Sequence, residues 1–170
     1  MGKERGRDGS DFGVRESLRR DLFERWTLTR IVRLKHSTAG YSGTPLLDKL
    51  GVKAGSRVGL IGAPRDFAEW LPSLPEGATL RQRGQGEADV ILLFLRSRND
   101  LAAIGAAIRR MPAQGGMLWA VWPKKSSSIV SDLSENAVRD AGLSAGLVDT
   151  KVCAIDETWS GLRFSRRKAK

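Results

Sequence analysis

The stretch "ADVILLFLRSRNDLAAIGAAIRRMPAQGGMLWAVW" (residues 88–122) has the pattern of a strand, a helix and a second strand. Residues 88–95 form a continuous apolar run, which is typical of a strand that is buried on both faces of a sheet. Residues 99–111 are predicted to form a helix, and residues 116–122 form another apolar strand. This order predicts a parallel pair of strands joined by a right-handed crossover.

The same alternation continues on both sides of this unit. Further strands are predicted over residues 56–62, 78–84, 150–159 and 161–167, and further helices over residues 45–50, 65–71 and 133–146. Ser160 and Gly161 separate the last two strands and predict a tight antiparallel hairpin. We therefore expect an α/β fold over residues 41–168: a single Rossmann-like three-layer domain, with a mostly parallel sheet and a C-terminal antiparallel β-hairpin. This arrangement resembles a reduced S-adenosylmethionine-dependent methyltransferase fold.

Residues with capping preferences mark the expected helix ends. Thr44 can serve as the N-cap of the first helix, with Pro45 at its first position and Gly51 after its last turn. Asn99 or Ser97 can cap the helix over residues 99–111.

The positive charge of the chain is concentrated at its two ends. The 170 residues carry a formal net charge of +10, of which residues 1–40 hold +4, residues 41–162 hold +1 and residues 163–170 hold +5. Basic ends can make weak nucleic-acid contacts through phosphate groups, or they can act as solubilising tails. We favour solubilising tails, because the C-terminal charges lack the aromatic side chains on which bases stack.

Residues 1–40 are interpreted as a basic N-terminal extension. Residues 1–13 are rich in glycine and charge and are expected to be disordered, and an amphipathic helix is predicted from Val14 onward. That helix could lie on a membrane surface or bind a partner, but we expect it to pack on its own domain or to be a dispensable extension. The sequence has no apolar run long enough for a membrane span and no signal peptide, and it contains a single cysteine. We therefore predict a cytoplasmic protein.

Ligands of open α/β sheets bind beyond the carboxyl ends of the strands, and four predicted loops lie there. They are residues 62–66, 96–99, 122–126 and 156–159. The first loop has only Gly62 where a dinucleotide or S-adenosylmethionine site needs several glycines, and Arg65 fills space there. We therefore disfavour a working methyltransferase and leave the cofactor open, although Arg65 would suit a phosphorylated ligand.

The third loop combines positive charge with hydroxyl groups. Lys124 and Lys125 could attract an anion, and Ser126, Ser127 and Ser128 could donate to it, but the frame of a Walker A loop is absent. Asp132 stands three residues before Glu135 and is expected to cap the following helix, which would occupy the amides that a phosphate would use. Ser131 or Ser134 as the cap would leave those amides more open.

The remaining candidate residues give no recognisable catalytic set. Asp156 and Glu157 are neighbours on a strand and should point to opposite faces, although one of them could face Lys124. We interpret Trp159 mainly as a packing residue at the same edge. His36 lies in the N-terminal extension, Cys153 is expected to be buried and inert, and no metal-ligand cluster is present.

Four blocks of sequence resemble an uncharacterised bacterial family, the domain of unknown function 3052. They are "GYSGTPLLDKLG" (40–51), "LWAVWPKK" (118–125), "SDLSENAVRDAG" (131–142) and "GLVDTKVCAIDETWSGLRFSRRK" (146–168). The resemblance implies a small Rossmann-like domain and supplies no catalytic residue.

We expect a binding module rather than an enzyme. It would act through a protein partner or a small ligand. The first alternative is an enzyme or sensor that binds a nucleotide-like or phosphorylated ligand with Lys124, Lys125 and Ser126, aided by Arg65 or by the acids at 156 and 157. The second alternative is nucleic-acid association through the basic ends.

Overall fold

The computed structural model describes residues 45–82 and 85–167, apart from the side chain of Trp70. The predictions for residues 1–40, and for Thr44 as an N-cap, lie outside the described residues. Among the described residues, Gly51 ends the first helix in the left-handed conformation with φ of 78°, as its position in the sequence predicts.

Strands and helices alternate along the described chain. The strands are β1 (Arg57–Ile61), β2 (Thr79–Arg81), β3 (Val90–Phe94), β4 (Met117–Pro123), β5 (Leu147–Ala154) and β6 (Trp159–Arg166). The helices are α1 (Leu46–Leu50), α2 (Phe67–Trp70), α3 (Ala103–Ile108) and α4 (Glu135–Ser144), and a 3-10 helix (Arg98–Ala102) precedes α3.

All six strands belong to one sheet in the order β2-β1-β3-β4-β6-β5. The first four strands in this order are mutually parallel, whereas β6 is antiparallel to both of its neighbours, β4 and β5. The fold is therefore the expected α/β Rossmann-like domain, a mostly parallel sheet with a C-terminal antiparallel hairpin. The strand order reverses between β1 and β3, which is the switch point where ligands of such sheets usually bind.

The core has one apolar layer on each face of the sheet. Residues of β3 alternate between the layers: Ile91 and Leu93 pack with α3 and α4, while Val90 and Leu92 pack with α1 and α2. Because β3 is covered on both faces, its apolar side chains run without interruption, as the sequence predicts.

The hairpin turns earlier than its sequence predicts. The predicted turn at Ser160 and Gly161 is wrong, because both residues lie inside β6 and the turn occupies residues 155–158. The carboxylate oxygen Oδ1 of Asp156 accepts the N–H groups of Thr158 and Trp159 at 2.7 Å each and closes that turn. Gly161 instead makes room for packing, since a Cβ atom there would lie 2.9 Å from Cδ1 of Ile155.

The helix predicted over residues 99–111 is shorter and begins as a 3-10 helix at Arg98. Ser97 is its N-cap, one of the two caps that the sequence offers, and the Ser97 N–H donates to the carboxylate of Asp100 at 2.9 Å. Hydrogen bonds from the backbone N–H groups of Arg96 and Ser97 lower the pKa of Asp100.

An ion pair at the amino ends of β1 and β3 gives a prediction about acid stability. Arg57 donates to both carboxylate oxygens of Asp89, at 2.7 Å from Nη2 to Oδ1 and at 3.1 Å from Nε to Oδ2, and these bonds lower the pKa of Asp89. A carboxyl group whose pKa is lowered in the folded state stabilises that state above its unfolded pKa, and loses this effect as the pH falls through the folded pKa. We expect Asp89→Asn to unfold at lower urea concentration than wild type at pH 7, with the difference shrinking below about pH 4. Urea unfolding of both proteins at pH 7 and pH 3 measures this, and a difference that is equal at the two values would contradict it.

Candidate functional site

The carboxyl ends of β1, β3, β4 and β5 lie along one edge of the sheet, so the four predicted loops are neighbours. Two backbone groups join the loops directly. The N–H of Lys124 donates to the carbonyl of Thr158 at 2.8 Å, and the N–H of Arg98 donates to Oδ1 of Asp132 at 2.9 Å. We call this part of the molecule the carboxyl edge.

Arg96 bridges three of the four loops at the switch point. Its Nη1 donates to the carbonyl of Gly62 at 3.0 Å, and its guanidinium carbon lies 5.6 Å from the ring centroid of Trp159, within cation–π distance. The sequence patterns do not predict this role. The only signal for it was the position of Arg96, directly after the apolar run that forms β3.

Aromatic side chains fill the space beneath Arg96. The ring of Phe94 lies 4.7 Å from that of Phe67 and 5.1 Å from that of Trp159, both in edge-to-face arrangements. Gly62 has φ of +66°, and a Cβ atom there would lie 3.0 Å from the carbonyl oxygen of Phe94, so β1 and β3 approach closely at their ends. The switch point is therefore closely packed by side chains of the chain itself.

The predicted residues of the fourth loop have separate environments. Trp159 is buried and packs against Phe94, whereas Glu157 is exposed. Asp156 is only 1% exposed, and its carboxylate accepts two backbone N–H groups of the turn. The structure thus places Asp156 within the hairpin turn and Glu157 on the surface beside it.

The third loop folds into a small cup. We call residues 124–133 the lysine–serine loop. It encloses about 330 Å³, lined among others by Lys124, Lys125, Ser127 and Ser128, while Ser126 is exposed outside that lining. Among the described residues, no carboxylate lies within ion-pair distance of either lysine.

The start of α4 differs from its prediction. Ser134 is the N-cap, and its hydroxyl oxygen accepts the N–H of Ala137 at 3.2 Å. The expected cap by Asp132 is wrong, because that carboxylate accepts the N–H of Arg98 instead. The alternative with Ser134 as the cap is confirmed, so no carboxylate of Asp132 blocks the first turn of α4.

Arg65 lies in the first loop and is exposed. Within the part of the chain that the structure describes, it makes no hydrogen bond or ion pair. No contact therefore brings Arg65 to the lysine–serine loop.

Two other kinds of site find little support in the described residues. No group of three or more His, Cys, Asp or Glu side chains there is arranged to hold a metal ion. Cys153 is half-buried, and burial raises the pKa of its thiol, which disfavours the reactive thiolate.

No helix among the residues described is long and apolar enough to cross a membrane.

Comparison with known proteins identifies the family. A family model described as "Protein of unknown function (DUF3052)" matches residues 49–168. The chain belongs to this family. The DUF3052 match begins inside α1 and covers all six strands, so the switch point and the lysine–serine loop both lie within the family domain.

Other comparisons place the DUF3052 chain among known proteins only distantly. No curated protein matches it. A solved structure titled "Methanococcus jannaschii fibrillarin pre-rRNA processing protein" is similar at 13% identity, with a TM-score of 0.46, over 77% of this chain and 72% of that one.

Proposed function

We propose that this chain is a binding module without a catalytic set of its own, which holds a small phosphate-bearing ligand at the lysine–serine loop. The observation that carries the proposal is the cup of about 330 Å³, where two lysines without a carboxylate partner among the described residues stand beside serine hydroxyls. Lysine ammonium groups bind phosphate as point charges, and hydroxyl groups can donate to phosphate oxygens. The volume lies at the small end of the range for ligand pockets, about 300–1,000 Å³.

The backbone of the loop is fixed where the first lysine begins. The N–H of Lys124 is bonded to Thr158 at 2.8 Å, and the N–H of Ser127 returns to the carbonyl of Lys124 at 3.0 Å. A second tie lies near the far end, where Oδ1 of Asp132 accepts the N–H of Arg98 at 2.9 Å. A loop held at both ends loses less conformational entropy when a ligand binds, which favours affinity.

The switch point supports a binding role over cofactor-dependent catalysis. A dinucleotide or S-adenosylmethionine would have to displace Arg96 from Gly62 and Trp159, and would meet the buried rings of Phe67 and Phe94 below. Such a ligand also needs a glycine-rich first loop, which this chain lacks. Binding at the lysine–serine loop requires neither rearrangement.

Substitution of both lysines tests the proposal. We expect pyrophosphate, ATP or a sugar phosphate to bind the wild-type chain saturably, and Lys124→Gln with Lys125→Gln to weaken that binding about tenfold or more. The lysines make no ion pair with any described residue, so the thermal unfolding temperature should change little. Isothermal titration calorimetry of the full chain measures the binding.

A matched control removes the same charge elsewhere. Lys53→Gln with Arg81→Gln deletes two exposed positive charges that do not line the cup of the lysine–serine loop, and should leave the affinity unchanged. Equal affinity of the Lys124/Lys125 variant and the wild type would reject the proposal, as would the absence of saturable binding of every probe. A wild-type chain that bound S-adenosylmethionine more tightly than these probes would reject it in favour of the switch point.

A further inference from the structure

A cavity that no assignment above uses lies at the opposite edge of the sheet, where β4 begins and β6 ends. It encloses about 920 Å³, and its lining includes Gly115, Val148, Thr150, Arg163, Arg166 and Arg167. We call it the arginine pocket. Met117, the first residue of β4, pairs with Ser165 of β6, and both residues also line the pocket, so its floor is an ordered part of the sheet.

Two of the three guanidinium groups are held in place by the fold. Arg166 donates from Nη2 to the carbonyls of Ile108 at 2.7 Å and Met111 at 3.1 Å, and from Nε to that of Pro112 at 3.1 Å. These bonds satisfy carbonyl groups at the end of α3 and leave the two N–H groups of Nη1 without an acceptor among the described residues. Arg166 therefore serves the fold with one side of its guanidinium group and can serve a ligand with the other.

Arg163 is oriented by a neighbour on the edge strand. Its Nε donates to the hydroxyl of Thr150 at 2.7 Å, and that hydroxyl donates in turn to the carbonyl of Arg163 at 3.2 Å. The pairing of β5 with β6 shifts register between Asp149 and Lys151, so Thr150 sits at an irregularity of the ladder. Irregularities of this kind re-aim side chains and are frequent beside binding sites.

The positive charge of the pocket is not neutralised by the described chain. The ion pairs among the described residues join Arg57 to Glu87 and Asp89, and Arg139 to Glu135 and Asp149. No carboxylate of the described residues lies within ion-pair distance of the three pocket arginines, and no acidic residue lines the cavity. In the sequence, residues 163–170 hold five basic residues and no acid, and three of the five are the pocket arginines.

We propose that the arginine pocket binds a phosphate-bearing small molecule of about nucleotide size. Arginine is the residue best suited to two-point recognition of phosphate, and here three arginines face one cavity. A cavity of 920 Å³ is much larger than one phosphate group, and its wall at Val148 and Met117 is apolar, so the ligand has a body as well as a charge. Single-stranded nucleic acid fits less well, because none of the described residues that line the pocket is aromatic, and bases would have no ring among them to stack on.

The test separates this pocket from the lysine–serine loop. The starting protein is the full chain with Lys124→Gln and Lys125→Gln, titrated calorimetrically with ATP, pyrophosphate and adenosine. We expect saturable ATP binding in this background, weaker binding of pyrophosphate and none of adenosine. Adding Arg163→Gln and Arg167→Gln should weaken ATP binding about tenfold or more, whereas adding Lys53→Gln and Arg81→Gln should leave it unchanged. Arg166 is kept in all variants because it bonds the carbonyls after α3.

Three results would overturn the proposal, and each can be told apart from failure of the lysine–serine loop. The first is loss of all phosphate binding in the Lys124→Gln, Lys125→Gln background. The second is ATP binding in that background whose affinity does not change when Arg163→Gln and Arg167→Gln are added. The third is an affinity for single-stranded oligonucleotides that exceeds that for ATP and rises with their length, which would assign the charge to nucleic acid. Thermal unfolding of each variant confirms that it is folded. If the protein with Arg163→Gln and Arg167→Gln is unfolded, Arg167→Gln alone is the substitute, since Arg167 is exposed and its replacement should leave the fold intact. This single variant should still weaken ATP binding.

Discussion

Alanine in place of Trp159 should lower the free energy of unfolding by about 3–5 kcal/mol, the usual cost of deleting a large buried aromatic side chain. Trp159 is only 3% exposed and begins β6, where its ring meets that of Phe94 edge to face at 5.1 Å. It also lies under the guanidinium group of Arg96. Its removal would leave a cavity beneath the switch point, and urea unfolding at equilibrium measures the loss.

Two companion variants separate packing from the cation–π contact. Trp159→Phe keeps an aromatic ring against Phe94 and should cost less than the alanine variant, because less apolar surface is lost. Arg96→Gln keeps the packing but removes both the cation–π contact and the hydrogen bond to Gly62, and should cost about 0.5–2 kcal/mol. A loss below about 1 kcal/mol for Trp159→Ala would contradict a packing role, since such values are typical of surface positions.

The sheet could be predicted from the sequence because its signals are local. Each signal lies within a few positions of the chain. The apolar run predicts β3, the residues after it predict a helix, and a glycine predicts the end of α1. A strand covered on both faces must be apolar throughout, so β3 is recognisable without knowledge of its neighbours. The order of strands along the chain then limits the topology, since parallel strands need right-handed crossovers.

The hairpin turn was misplaced because two local signals competed. Ser160 and Gly161 have the composition of a turn, whereas Asp156 can form one with its side chain by accepting backbone N–H groups two and three residues ahead. The register settles the competition: Gly161 pairs with Val121 inside the sheet, where Ile155 and Trp119 leave no room for a Cβ atom. Such a packing demand comes from distant residues and is invisible in the sequence of the hairpin.

The arrangement of both proposed sites depends on contacts between residues far apart in the chain. In the lysine–serine loop, Lys124 is bonded to Thr158 and Asp132 to Arg98. In the arginine pocket, Arg166 reaches carbonyl groups more than fifty residues earlier. In the sequence, Arg163, Arg166 and Arg167 form only the start of a basic tail, and the turn at Gly115 gives no sign of being their neighbour. The pairing of β4 with β6 brings the two together and turns a run of charge into the wall of a cavity.

Asp156→Ala should lower the free energy of unfolding by about 2–4 kcal/mol, because two N–H groups of the turn would lose the acceptor that both now share. The N–H groups of Thr158 and Trp159 lie 2.7 Å from Oδ1 of Asp156, and Asp156 is 1% exposed, so water has little access to replace the carboxylate. Urea unfolding measures the effect.

Asparagine at position 156 is the matched control for this prediction. Its amide oxygen can still accept both N–H groups, so Asp156→Asn should retain much of the stability that Asp156→Ala loses. The carbonyl of Thr158 also holds the N–H of Lys124, so a disordered turn would loosen the lysine–serine loop. We therefore expect Asp156→Ala, but not Asp156→Asn, to weaken phosphate binding at Lys124 and Lys125. Equal stability of the alanine variant and the wild type, with binding lost in both variants, would instead make the carboxylate of Asp156 a ligand-contacting group.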